Sequence, residues 1–172
     1  RYFVGMSYKE AAVALGIALW APWRSEKPAD RPLVRLDVDL GEDAAFPTFN
    51  YGTSLAISPD GMRLVYVSGG RLFTRRLDQP TATELATQGA AQPFFSPDGK
   101  WIGFSARKGV NKISVEGGPV VRVGDIDGVF NGASWAEDGS IFVGDNSGKG
   151  LLQLPDAGGV ARILVPNDRG VA

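Results

Sequence analysis

The sequence of 172 residues contains neither histidine nor cysteine. A Ser-His-Asp triad, a Cys-His pair and a disulfide bond are therefore impossible within it. A zinc site of the usual kind is excluded as well, because carboxylates alone rarely hold zinc. The formal net charge is −1, so the chain lacks the basic excess that accompanies nucleic-acid binding. We expect no catalysis within this chain, no bound metal or cofactor, and no nucleic-acid partner.

The residues that are abundant indicate a folded chain with many turns. Apolar residues make up 44% of the sequence and charged residues 22%, which is enough apolar material for a core. The 23 glycines and 11 prolines together supply about one residue in five. This density of turn-forming residues favours many short strands over a few long helices.

The first 23 residues differ from the rest of the chain. A stretch rich in alanine and leucine precedes Pro22, which predicts a helix that ends there. The uncharged run 11–23 would span about 20 Å as a helix, less than the roughly 30 Å of a bilayer core. Its tryptophans, followed by Arg24, are typical of the interfacial end of a membrane helix. We predict a hydrophobic helix in residues 1–23, which anchors the chain near a membrane, and a linker in residues 24–32.

From residue 33 onward the pattern is that of short strands. The segment LVRLDVDL at 33–40 alternates apolar and polar residues, which predicts a half-buried strand. Downstream, one phrase occurs three times, as ISPDG at 57–61, FSPDG at 95–99 and WAEDG at 135–139, with a spacing of about 40 residues. The flanking apolar runs repeat with the phrase, so the chain contains an internal structural repeat.

Each phrase predicts a tight hairpin turn between two apolar strands. Proline fixes φ near −65°, aspartate can accept a hydrogen bond from the backbone two residues on, and glycine adopts positive φ without steric cost. The residues assigned to this turn motif are Ser58, Pro59, Asp60, Gly61, Ser96, Pro97, Asp98, Gly99, Glu137, Asp138 and Gly139. We interpret the three aspartates as turn-forming residues and not as a ring of cation ligands.

A repeat of this length with three or four short strands has the size of a β-propeller blade. We predict an all-β fold, a partial β-propeller of about three four-stranded blades preceded by one short N-terminal helix. The predicted propeller occupies residues 33–172, with an entry strand at 33–40 and repeats at about 49–87, 88–126 and 127–166. Propellers typically have four to eight blades, so we expect the missing blades to come from the rest of a parent chain or from self-association.

The repeated phrases resemble those of a known family. FSPDG followed by KWIGF is similar to the repeat signature of TolB-like, WD-repeat-like β-propellers. The longer stretches QPFFSPDGKWIGFSARKGVNKISVEGGPVVRV and GASWAEDGSIFVGDNSGKGLLQLPDAGG resemble the propeller region of bacterial receptor-type serine/threonine protein kinases, and ALWAPWR resembles their membrane exit. The kinase motifs HRD and DFG do not occur in this chain. The resemblance therefore implies a sensor or interaction domain.

A second resemblance concerns residues 1–17 alone. They are similar to the start of the helix-turn-helix of extracytoplasmic-function sigma factors. The recognition helix that would enter a DNA groove does not follow, because the chain continues as ALWAPW. This opening therefore does not change the expectation that the chain binds no nucleic acid.

The sequence and the family resemblance together imply a non-catalytic module that binds a protein or a small ligand at a propeller face, as a sensor or a scaffold. The resemblance implies a fragment of a membrane-anchored bacterial signalling protein, with the propeller in the periplasm or outside the cell. The alternative is the propeller domain of a larger enzyme, either a serine/threonine protein kinase or a propeller-gated serine peptidase. No binding residue is identified by the sequence.

Three further features are weighed against ordinary structural roles. DIDGVFNG at 125–132 and DNSGKG at 145–150 resemble fragments of a calcium loop, but they lack its alternating ligands and its final glutamate. Ser134 lies in GASWA, which lacks the second glycine of the G-x-S-x-G esterase elbow, and the sequence has no histidine to activate the serine. Four aromatic residues could line a ligand face, but we predict that they pack between blades: Phe94, Phe95, Trp101 and Phe104.

Overall fold

A computed structural model describes residues 53–85, 89–106, 108–126, 130–145 and 148–166. The predicted N-terminal helix, the linker and the entry strand lie outside these residues. The described residues all belong to one unit of the chain, bounded at Val38 and Ala172. They contain strands and turns, and no helix among them has the length and apolar character needed to cross a membrane.

The described residues form twelve strands in three antiparallel sheets. The first sheet contains β1 (Leu55–Ile57), β2 (Arg63–Ser68), β3 (Arg71–Arg76) and β4 (Thr83–Glu84). The second sheet contains β5 (Ala91–Phe95), β6 (Trp101–Ala106), β7 (Gly109–Ser114) and β8 (Val121–Asp125). The third sheet contains β9 (Phe130–Trp135), β10 (Ser140–Asp145), β11 (Gly150–Pro155) and β12 (Arg162–Val165). The prediction of three four-stranded, all-β blades is confirmed.

Each sheet is a meander whose strands lie side by side in chain order. The first strands of neighbouring sheets contact each other, β1 with β5 and β5 with β9. Because successive strands are antiparallel, the first-to-second and third-to-fourth connections lie at the same end of the strands in each sheet. We call this end the turn face, since it carries the three repeated turns. The opposite end carries the second-to-third loops and the links between sheets.

Two hydrophobic cores hold the three sheets together, one in each seam between neighbours. The core of the first seam contains Val65, Val67, Leu72, Leu85, Ala90, Ile102, Phe104, Ile113 and Val115. The core of the second seam contains Phe94, Val110, Val123, Ile126, Trp135, Ile141, Val143, Leu152 and Leu154. The second sheet contributes to both cores, so alternate residues of its strands are buried on opposite sides.

The three sheets differ in the side chains of one cross-strand pair between their first and second strands. In each sheet a small and a larger side chain are cross-strand partners: Ala56 with Val65, Phe94 with Gly103, and Ser134 with Phe142. The second sheet is the extreme case, because a Cβ atom at Gly103 would lie 2.2 Å from Cζ of Phe94. Glycine at this position therefore makes room for the phenylalanine ring.

Candidate binding site

The first repeated turn is closed by a small hydrogen-bond network. The hydroxyl of Ser58 donates to Oδ1 of Asp60 over 2.5 Å, and the same oxygen accepts from the backbone N–H of Met62 at 2.9 Å. The N–H of Gly61 donates to the carbonyl of Ser58 at 2.8 Å, with φ of the glycine at +73°. Pro59 is exposed at the tip. The aspartate thus bonds the backbone two residues on.

The second turn repeats this network almost atom for atom. The hydroxyl of Ser96 donates to Oδ1 of Asp98 at 2.6 Å, and the N–H of Lys100 donates to that oxygen at 3.1 Å. The N–H of Gly99 donates to the carbonyl of Ser96 at 2.9 Å, and Pro97 is exposed. A Cβ atom at Gly99 would lie 3.7 Å from Cδ of Pro59, so the first two turns are neighbours on the turn face.

The third turn is one residue shorter and has no serine to complete the network. Oδ1 of Asp138 accepts from the N–H of Ser140 at 2.9 Å, and the N–H of Gly139 donates to the carbonyl of Ala136 at 3.1 Å. Glu137 is exposed where the other turns have proline. Within the part of the chain that the structure describes, no three acidic side chains gather where they could hold a metal ion.

The first two turns should make the stability of the chain depend on pH. The serine hydroxyl, and after it the backbone N–H two residues on, hold the pKa of Asp60 and of Asp98 below the usual value of 3.8. A carboxyl with a lowered folded-state pKa contributes stability above its unfolded pKa, and this contribution is lost as the pH falls through the folded value. We therefore expect stability to fall as the pH drops below about 4.

The double variant Asp60→Asn and Asp98→Asn tests this expectation, because asparagine keeps an oxygen acceptor but does not titrate in this range. Urea unfolding at several pH values between about 6 and 2.5 should show a weaker acid dependence for the variant than for the wild-type chain. The same acid dependence in both proteins would contradict the role assigned to these two turns.

The side chain of Arg63 bridges the first seam at the turn face. The guanidinium of Arg63 donates to the carbonyl of Val115 at 3.1 Å and to Oε1 of Glu116 at 2.6 Å. Its side chain is only 15% exposed, whereas that of Glu116 is 76% exposed. The bond to the main chain ties the second strand of one sheet to the third-to-fourth turn of the next.

The second seam contains a matching bond made by a different residue. Nζ of Lys112 donates to the carbonyl of Asp156 at 2.8 Å. The ammonium lies 5.1 Å from the ring centroid of Trp101 and 5.6 Å from that of Trp135, which is within cation–π range. Asp156 follows β11 as Val115 follows β7, so both seams use the carbonyl at the corresponding turn position.

The four aromatic residues named in the sequence analysis lie in these seams. Phe104 is fully buried in the first core, and Phe95 packs against that core. Phe94 packs edge-on against Trp135, with ring centroids 6.3 Å apart, and Trp101 packs against the second core. They pack between blades and do not form a ligand face.

A groove opens on the turn face at the first seam. It has a volume of about 380 Å³ and is lined by Arg63, Thr74, Arg76, Gln79, Thr81, Thr83, Leu85, Val115 and Glu116. Both arginines in this lining are ion-paired, Arg63 with Glu116 and Arg76 with Asp78 at 2.8 Å. The groove therefore presents hydroxyl, amide and guanidinium groups with nearly balanced charge. This surface suits an uncharged polar ligand or a polar loop better than an ion. No motif in the sequence marks it, since its residues come from three separate stretches of the chain, at 63, 74–85 and 115–116.

The two stretches that resemble fragments of a calcium loop, 125–132 and 145–150, each contain an aspartate with a local contact. Asp125 is ion-paired with Arg122 in the same strand. The carboxylate of Asp145 is buried and accepts a hydrogen bond from the N–H of Lys149 at 3.0 Å. Parts of both loops lie outside the described residues, and the described parts show the contacts of ordinary turns.

A buried residue with positive φ was not predicted. Gln92 has φ of +52°, although glutamine seldom adopts this conformation. It lies where the pairing of β5 with β6 shifts register, and Nε2 of its side chain donates to the carbonyl of Phe130 at 2.5 Å across the second seam. The corresponding position of the third sheet is Gly132, with φ of +133°. Glycine at this position in the third sheet is the only sign in the sequence that the backbone adopts positive φ here. The second sheet has glutamine instead, so its sequence does not indicate the conformation.

Three meander sheets with their first strands side by side define the blades of a β-propeller. The N-terminal domain of Nup159 matches at 15% identity and a TM-score of 0.54, over 69% of this chain and 35% of that one. Virginiamycin B lyase from Staphylococcus aureus matches at 20% identity and a TM-score of 0.51, over 65% of this chain and 39% of that one. A Saccharomyces cerevisiae structure of Dbp5 bound to Nup159 and Gle1 matches at 14% identity, a TM-score of 0.53, and 69% and 35% coverage.

These matches establish the β-propeller fold and nothing narrower, since the sequence identities are low. The chain spans between about a third and two fifths of the length of the structures it matches. No protein-family model matches the sequence, and no curated protein matches it.

Proposed function

We propose that the chain is a non-catalytic β-propeller module that binds a polar ligand or a polar loop of another protein in the groove at the first seam. The observation that carries the proposal is the groove itself, which has a volume of about 380 Å³, is lined by groups that form hydrogen bonds, and is nearly neutral. The volume of the groove lies within the range of about 300–1,000 Å³ that is usual for small-molecule sites, in which well-placed polar groups fix the orientation of the ligand. The N-terminal domain of Nup159 matches this fold, and a solved structure contains Dbp5 bound to Nup159 and Gle1, which is in keeping with a binding role.

Arrays of peptides and of glycans, probed with the purified chain, test this proposal. We expect binding to a limited set of array members, and loss of that binding in Thr81→Arg, which fills the groove from an exposed loop position. Lys100→Ala is the matched control, because Lys100 is 77% exposed in the neighbouring turn and does not line the groove. Failure to bind any probe, or equal binding by Thr81→Arg, would overturn the assignment.

We also propose that the parent protein is a membrane-anchored bacterial signalling protein with the propeller outside the cytoplasm. The support is the similarity of residues 92–123 and 132–159 to receptor-kinase propellers, together with the tryptophan-rich stretch before Arg24. The alternative is that the chain is the propeller domain of a larger enzyme, either a serine/threonine protein kinase or a propeller-gated serine peptidase. Sequencing of the parent locus distinguishes them, since a kinase domain lies upstream in the first case and a hydrolase domain downstream in the second. Neither domain at the locus would contradict both.

A further inference from the structure

The outermost strand of the third sheet exposes a run of apolar side chains. Ile163, Leu164 and Val165 of β12 are 52%, 36% and 57% exposed. Among the described strands β12 pairs only with β11, so its other edge offers backbone N–H and C=O groups to a further strand. The apolar surface continues onto Leu151, the cross-strand partner of Val165. We call these four residues the edge patch.

The outer strands of the other two sheets are protected. β8 carries an ion pair between Arg122 and Asp125 along its length. β4 has only two residues, and Glu84 in it is ion-paired with Arg71 at 3.1 Å. Charged side chains and short edge strands are the usual means by which natural sheets avoid pairing with another chain. β12 has a charge only at its first residue, so it is the open edge of the three.

That single charge is directed away from the edge patch. The guanidinium of Arg162 donates to Oε1 of Gln153 at 2.8 Å, and the amide of Gln153 donates to the hydroxyl of Ser140 at 2.7 Å. The arginine is thereby held over its own sheet by a polar chain of three side chains. It leaves the three apolar residues of the strand to form the edge.

We propose that the edge patch is a self-association surface, on which β12 of a second copy of this chain pairs antiparallel with β12 of the first. An antiparallel edge is self-complementary under a two-fold axis, so a second copy presents a matching strand without any further adaptation. With the axis at Leu164, Ile163 of each copy lies opposite Val165 of the other, and Arg162 lies opposite Pro166. No like charges then face each other across the new pair.

The length of the strand limits the strength of this contact. Pro166 follows Val165 and has no backbone N–H, so the new ladder cannot extend beyond the four residues of β12. Two such short edges bury far less area than a stable dimer interface, which is about 1,600 Å² in total. The expected state is therefore a reversible monomer–dimer equilibrium. This inference does not depend on the proposed ligand-binding role.

Sedimentation velocity over a concentration series of the 172-residue chain tests the proposal. We expect a concentration-dependent shift that ends at the dimer. In Val165→Lys the dimer dissociation constant should rise at least about tenfold, because two lysines would face the pairing edge. Val160→Lys is the matched control: it is the same substitution at a 92% exposed valine in the turn before β12, and it should leave the dissociation constant unchanged. Circular dichroism melting checks that both variants stay folded.

Hydrogen exchange locates the contact independently of any substitution. Amides of β12 should become more protected as the protein concentration rises, while those of β8 should not. A chain that stays monomeric at the highest concentration would overturn the proposal. So would association that continues past the dimer, association unaffected by Val165→Lys, or concentration-dependent protection at another surface.

Discussion

Gly103→Val is expected to destabilise the chain by about 1–3 kcal/mol, the usual cost of overpacking a well-filled core. The added Cβ alone would lie 2.2 Å from Cζ of Phe94, and the valine methyl groups add further overlap. The phenylalanine has little room to move, since its side chain is buried and packs edge-on against Trp135. Equilibrium unfolding in urea measures the effect as a lower midpoint with an unchanged slope.

The first sheet indicates which second substitution should compensate for Gly103→Val. It places Ala56 opposite Val65, at the positions that Phe94 and Gly103 occupy in the second sheet. Phe94→Ala alone should cost about 3–5 kcal/mol, because it leaves a cavity in the second seam. The double variant Gly103→Val with Phe94→Ala should be more stable than the sum of the two single effects predicts. Strict additivity would show that the two side chains do not share one space.

Trp135→Ala is expected to cost about 3–5 kcal/mol, which would make it one of the most damaging single substitutions in the described blades. The indole is 9% exposed and contacts the ring of Phe94, and its face lies 5.6 Å from Nζ of Lys112. Truncation therefore removes core packing and one side of the cation–π contact together. Thermal melting followed by near-ultraviolet circular dichroism would record both the lower stability and the lost aromatic packing.

A second pair of variants separates packing from charge at this seam. Lys112→Met keeps an unbranched apolar side chain but removes the bond to the carbonyl of Asp156 and the charge near the indole. We expect it to cost less than Trp135→Ala, because the polar contact is partly exposed whereas the indole fills the core. A Lys112→Met variant as unstable as Trp135→Ala would show that the charge, and not the packing, stabilises this seam.

The repeated turn and the blade count could be predicted from the sequence because they depend on local chemistry. Asp60 and Asp98 each bond the backbone two residues on, and this requires only the residues of the turn itself. The alternation of apolar residues around each turn then determined which strands would pair. The shortened third turn was visible as a missing residue after Gly139.

The contacts between sheets could not be predicted in the same way. The space shared by Phe94 and Gly103 depends on strand register, which a one-residue shift would change completely. The bond from Arg63 to Val115 joins residues that are 52 positions apart, with no local pattern to indicate it. The groove has the same origin, since it forms only when the first and second sheets are packed together. The predicted N-terminal helix and entry strand remain predictions, because they lie outside the described residues.

The hydrogen bonds from Arg63 to Val115 and from Lys112 to Asp156 restrict the residue type at the donor position but not at the acceptor position. The donor must be a long cationic side chain, Arg63 in one seam and Lys112 in the other, whereas the acceptor is a main-chain carbonyl that every residue type possesses. Val115 and Asp156 accordingly have unrelated side chains at the same turn position. A designer could therefore change the exposed residues of these turns to recognise new targets and still keep neighbouring blades joined, provided that Val115 keeps its place in the core of the first seam. The scaffold thus separates the residues that assemble it from residues that are free to acquire a new specificity.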